Sequence, residues 1–194
     1  MPATTRTARA CALALAGLGL AASTMTALPA SATSTTNDSS TTNDGATTSA
    51  SSDNRRATTQ RRAAARTAAR RVDARVLGAR DTALRQRGDW YAYGAAGPDR
   101  FDCSGLVHYS YRRAGFAVPR TSSAQAGFTR RVAKQAMRPG DLMFFYGSGG
   151  VYHAAIFLRW SNGHALMVHA PGSGQRVRVA VPWTSQWFGG TLRR

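Results

Sequence analysis

The stretch FDCSGLVHYSY, residues 101–111, holds one of only two cysteines in the chain. A loop containing Gly94, Gly97 and Pro98 precedes it, and Leu106, Val107, Tyr111 and Ala114 recur behind it at helical spacing. The spacing predicts a helix over residues 103–114, ended by Gly115, with Asp102 as its N-cap. Cys103 then sits in the first turn, where unpaired backbone N–H groups and the positive end of the helix dipole favour a thiolate. On these residues alone two readings stay open: a small buried apolar residue, or a reactive thiol.

Downstream lie four strand-like runs, DLMFFY (141–146), VYHAAIFLRW (151–160), HALMVHA (164–170) and QRVRVAVP (175–182). Helices first and antiparallel strands after describe an α+β domain. Upstream, residues 54–87 are rich in Ala and Arg, both good helix formers. Val72, Val76, Leu77 and Leu84 give the second half an apolar stripe, and Gly88 can end the helix. Residues 54–71 have no large apolar side chain, so a solvated basic helix or frayed coil is expected, outside a folded domain of residues 72–194. Residues 33–53 are almost entirely Ser, Thr, Asn, Asp, Ala and Gly, the composition of a disordered linker. Residues 1–32 have the layout of a secretory signal peptide: two arginines without acids, the apolar run ALALAGLGLAA, then Ala30-Ser31-Ala32. That run is shorter than the ~20 residues of a membrane span. The expected product is therefore secreted, without a membrane span, and it is expected to be a monomer.

Loss of the signal would remove Cys11 and leave Cys103 as the only thiol in an oxidising compartment, with no intramolecular disulfide to make. An unpaired thiol there needs a reason. The formal charge is +17, from 26 basic and 9 acidic residues, which favours polyanionic surroundings. For an exported chain these are anionic wall polymers and lipids, and the Arg-rich segment reads either as a tether to wall polymers or as a solvated face without a partner. Nucleic acid is disfavoured, because the basic run has no interleaved aromatics and follows an export signal.

A cysteine nucleophile needs a base and a group that orients the base. Of the four histidines, His108 follows Cys103 on the same helix, rotated well away from it, and His164 abuts the turn SNG. His153 and His169 each interrupt an apolar strand-like run, and the two runs read as a hairpin through Ser161-Asn162-Gly163. A three-residue loop would pair Trp160 with His164 and Ala155 with His169, bringing both histidines to one face within roughly 7–8 Å. A two-residue Asn-Gly turn would put them on opposite faces unless a bulge compensates. One Cys and two His could also hold zinc, but close paired spacing is missing, and neither a metal nor an organic cofactor is expected.

The residues WYAYGAAGPDRFDCSGL (90–106), VPRTSSAQ (118–125), RPGDLMFF (138–145), HAAIFL (153–158) and MVHAP (167–171) resemble the NlpC-type family of bacterial cell-wall endopeptidases, papain-like cysteine peptidases. The resemblance covers essentially everything after the basic helix. It implies an α+β papain-like fold, N-terminal helices with the nucleophile at a helix start packed on a small antiparallel sheet. It also implies Cys103 as nucleophile, His153 as general base and His169 as the residue that orients it. Tyr91, with the Cys103 N–H, would hold the oxyanion, and Asp102, Ser104, Arg120 and Ser122 would line the substrate groove. The implied substrates are peptidoglycan stem peptides, cut between γ-D-glutamate and a diamino acid. Tyr93 stands where the family often has tryptophan, Ala155 replaces a common glycine, and the chain between His153 and His169 is longer than in the family pattern.

Overall fold

The computed structural model describes residues 46–193, with side chains from Asp53 onward. The expected signal peptide, Cys11 and most of the expected linker lie outside the described residues. Helix α1 runs Ala46–Arg85. It therefore begins inside the stretch read as linker and continues without a break through the basic segment. From Asp53 to Arg71 every residue is exposed, so this half is held by helix propensity alone. Packing begins one turn later. Val76, Ala79 and Ala83 face the core at intervals of three and four, and the two alanines let the helix backbone approach closely. After Gly88, in the left-handed region at φ +98, come two short parallel strands, β1 (Trp90–Tyr91) and β2 (Arg100–Phe101). The sequence predicted only a loop there.

Helix α2 (Cys103–Arg113) and helix α3 (Ser122–Phe128) follow, then β3 (Arg130–Val132) and a single 3₁₀ turn at Lys134–Ala136. The remaining strands are β4 (Leu142–Gly147), β5 (Gly150–Ser161), β6 (His164–His169), β7 (Arg178–Ala180) and β8 (Trp187–Thr191). They join β3 in a six-stranded antiparallel sheet of order β3-β8-β4-β5-β6-β7.

Strand alternation gives this sheet two apolar faces. Leu142, Phe144, Ala154, Ile156 and Val168 pack with Phe101, Leu106, Val107 and Tyr111 of the α2 region and with α1. Met143, Phe145, Ala155, Phe157 and Met167 form a second cluster with Met137 and Trp187. A polar knot ties α1 and the segment after β8 to this core: Arg193 bonds Asp73 of α1, Asp141 ahead of β4 and the Pro139 carbonyl, each at 2.6 Å.

Candidate active site

Asp102 has extended backbone angles (φ −90, ψ 177) and caps α2, its Oδ1 accepting from the Gly105 N–H at 2.6 Å. A side chain at Gly105 would collide with the Ala95 carbonyl and the Asp102 carboxylate, which explains glycine in DCSGL. Asp102 also takes the Gly94 N–H at 2.9 Å and both terminal nitrogens of Arg120, at 2.6 and 3.0 Å. Burial works to raise its pKa, but the Arg120 hydrogen bond, the Gly105 N–H, the Arg120 charge and the Gly94 N–H outweigh it and hold the carboxyl below the ordinary value. Capping and the ion pair thus fix the helix start that carries Cys103.

The Cys103 sulfur is partly buried and meets β5. The amide of Ala154, next to His153, and the amide and hydroxyl of Ser104 lie close enough to favour its thiolate. The helix start was expected to lower the thiol pKa, but the site does the opposite. Burial pushes the thiol up, the Asp102 charge adds to that, and the three donors only partly offset them. The resting group is a thiol, so a base must take its proton during reaction.

The hairpin differs from the expected loop and reaches the same end. Ser161 pairs with His164 across a two-residue turn whose Asn162 (φ 48) and Gly163 (φ 77) are both left-handed, the type I′ geometry that Asn-Gly favours. This would have turned the histidines apart. A bulge at Leu158 restores parity: Arg159 pairs with Leu166, but Phe157 pairs with Met167 and Ile156 with Val168, the register an odd loop would have produced. His153 Nε2 and His169 Nδ1 consequently lie 3.0 Å apart, with ring planes at 81°. They are 5% and 2% exposed. Burial pushes both imidazoles well below the ordinary 6.5, with the His169 charge adding for His153 and that of Arg178 for His169, so both are neutral at physiological pH.

A cleft of about 480 Å³ opens over Cys103, walled by Tyr91, Asp102, Ser104, Arg120 and Ser122. Each residue expected to contact substrate therefore borders it. The polar atoms of three of them are already engaged with one another, since Arg120 also holds the Ser104 hydroxyl at 3.0 Å. The Ser122 hydroxyl lies 3.4 Å from the Val151 carbonyl. Burial, then the charges of Cys103 and Asp102, raise the Tyr91 pKa, keeping its hydroxyl a neutral donor. His108 binds the Val118 carbonyl at 2.8 Å and belongs to the framework.

Sequence reasoning missed two aromatic residues here. Tyr152, next to His153 and half exposed, lines the cleft together with the exposed Tyr93. Trp183 stacks on His169 and meets His153 edge-on. It sits in VPWTS, outside any apolar periodicity, and nothing local marks it.

Among known proteins, the chain is similar to the probable endopeptidase Rv2190c of Mycobacterium tuberculosis, 44% identical over 103 residues. That match is 53% of this chain and 25% of the relative, so the chain spans a minor part of it. Among solved structures, the peptidoglycan hydrolase RipB of M. tuberculosis is 29% identical with a TM-score of 0.55, covering 63% of this chain and 67% of that one. RipD of the same organism, described as a non-catalytic NlpC/p60 domain protein adapted to peptidoglycan binding, is 26% identical with a TM-score of 0.51, covering 61% and 97%. The fold is thus the papain-like α+β arrangement expected from the sequence. The family model for NlpC/P60 matches residues 88–193, from the glycine that ends the α1 region to the buried Arg193, and the chain belongs to the NlpC/P60 family.

Proposed function

We propose that this protein is a secreted cysteine endopeptidase that hydrolyses peptidoglycan stem peptides at the bond between γ-D-glutamate and a diamino acid. The observation that carries this reading is the 3.0 Å pair of His153 on β5 and His169 on β6, with the Ala154 amide of β5 beside the Cys103 sulfur. His153 Nε2 is engaged by His169, which leaves Nδ1 to take the thiol proton as sulfur attacks the scissile carbonyl carbon. Tyr91 and the Cys103 N–H, freed by the helix start, stabilise the oxyanion. Collapse breaks the C–N bond, and the imidazolium gives its proton to the leaving amine. Water then adds to the thioester, its proton passes to His153, and the Cys103 thiol is restored. Two outcomes separate this from its rivals. Digestion of defined muropeptides, read by mass, is expected to yield stem peptides cut after γ-D-glutamate; a product cut at the sugar–peptide or cross-bridge bond would instead make the protein an amidase of another specificity.

The similarity to RipD and the exposed arginines of α1 favour a second reading, a polybasic wall-binding protein without turnover. Its signature is sedimentation with walls and no product. Slow alkylation of Cys103 at neutral pH does not discriminate, because burial raises the thiol pKa in either case. In both readings residues 54–71 bind anionic wall polymers. Arg62, Arg66 and Arg70 recur one turn apart along one flank. Deleting 54–71 is expected to weaken wall sedimentation about tenfold at low salt and little at 0.5 M, since exposed charges are screened beyond a Debye length. Equal sedimentation of both proteins at every salt concentration would refute the tether.

A further inference from the structure

The strand order forces a crossing. β7 is one edge of the sheet and β8 lies beyond β4, so residues 181–186 must pass over β6, β5 and β4 to connect them. Four strand spacings are about 19 Å, and the chain from Ala180 to Trp187 reaches at most about 25 Å when fully extended. The connection is therefore short for the distance, with room for only a few bends, one of them closed by the Trp187 N–H on the Ser185 carbonyl at 3.0 Å. Its far end is also pinned: the Gln186 carbonyl accepts from the Tyr146 N–H at 3.2 Å, and the Ser185 carbonyl from Lys134 Nζ at 2.8 Å.

Trp183 lies at the middle of this strap and touches the three strands it crosses. Its ring stacks at 25° on His169 of β6, with centroids 5.7 Å apart. It meets His153 of β5 edge-on at 5.1 Å and lies flat on Phe145 of β4 at 4.4 Å and 8°. The indole is 54% exposed while the histidines beneath it are almost fully covered. His169 Nε2 is buried with no hydrogen-bond partner among the described residues. A neutral His169 that accepts from His153 at Nδ1 must carry its own proton on Nε2. Apolar cover is thus what limits the hydration of the outer end of the pair.

We propose that Trp183 is a positioning residue: strapped across the sheet, it roofs the His153–His169 pair, excludes water from it, and holds both rings in the orientation that leaves His153 Nδ1 for Cys103. The proposal rests on the hydrolase reading only for its effect on turnover. Among the described residues, the other charged groups that act on the pair are Asp102 ahead of α2, on His153, and Arg178, which pairs with His169 from β7; Cys103 lies by Ala154, the neighbour of His153, and Phe145 of β4 adds no charge. In Trp183→Ala all of these remain, so the change isolates the cover.

The test titrates the assigned histidine resonances of the full chain by NMR and measures muropeptide hydrolysis against pH, in wild type, Trp183→Ala and Trp183→Phe. In Trp183→Ala both histidines are expected to titrate at least about one pH unit higher, towards the ordinary value, because burial disfavours the charged imidazole. The acid limb of kcat/KM should move up with them, and kcat should fall roughly 10- to 100-fold with KM within about twofold. Trp183→Phe keeps a flat apolar ring and should recover most of both. Unchanged titration in Trp183→Ala, or a raised KM with kcat retained, would overturn the proposal, the latter making the indole a substrate platform. A wild type that cleaves nothing would sink the hydrolase reading, while the titration would still decide the role of Trp183.

Discussion

Replacing Cys103 with alanine is expected to abolish muropeptide hydrolysis, by a factor on the order of 10⁶, the scale lost when a covalent nucleophile is removed. The fold should survive. Cys103 closes no disulfide, is only partly buried, and stands at a helix start secured by Asp102, whose partners are Gly94, Gly105 and Arg120. Alanine is also the best helix former. Wall sedimentation should be unchanged, because residues 54–71 are untouched. Single-turnover digestion read by mass, beside the far-UV spectrum of the variant, checks both halves. Product formation by Cys103→Ala at more than a trace would place the nucleophile elsewhere. His153→Ala should fall nearly as far, because the buried thiol stays protonated without a base to take its proton. His169→Ala should lose less, since it orients and does not transfer.

The largest effect on stability is expected away from the site. Arg193→Met should destabilise the fold by about 3–5 kcal/mol, the usual result of removing one partner of a buried ion pair. Asp141 and Arg193 have side chains 3% and 10% exposed. The carboxylate is shared by Arg193, the Thr191 hydroxyl at 2.5 Å and the Arg138 N–H at 2.7 Å. Without the guanidinium two neutral donors would be left to hold a buried charge. By contrast, the more exposed Arg80–Asp81 pair should contribute no more than about 1 kcal/mol. The double variant Asp141→Asn/Arg193→Met removes the charge as well and should recover part of the loss. Urea unfolding of the three proteins tests this; a single variant within about 1 kcal/mol of wild type would show that the Thr191 hydroxyl and the Arg138 N–H suffice to hold the Asp141 carboxylate.

Much of this molecule was legible in its residues because the signals are local. Asp102 caps α2 where an acidic residue precedes a helical apolar stripe, and Phe101, Leu106, Val107 and Tyr111 are buried as their spacing requires. The breaks at Gly88 and Gly115 coincide with positive φ, which only glycine adopts freely. The hairpin shows where local reading stops. Asn162-Gly163 announces a two-residue turn, yet the relay depends on a bulge at Leu158, a residue with no turn chemistry of its own. The bulge arises because both faces of β5 must be buried against two different cores, a demand that comes from other strands.

Sequence alone determined helix α2 with its cap, the runs that become β4 to β7, the lone thiol of the folded region and the family, since each is written in contiguous residues whose backbone preferences are short-ranged. The short elements β1, β2, β3, β8 and α3 were not legible there. Tertiary structure alone decided that two distant histidines meet at 3.0 Å, that burial overrides the helix dipole at Cys103, that Arg120 clamps Asp102, and that Trp183 covers the pair. These are matters of desolvation, register and strand order, and they exist only once the chain has closed around them.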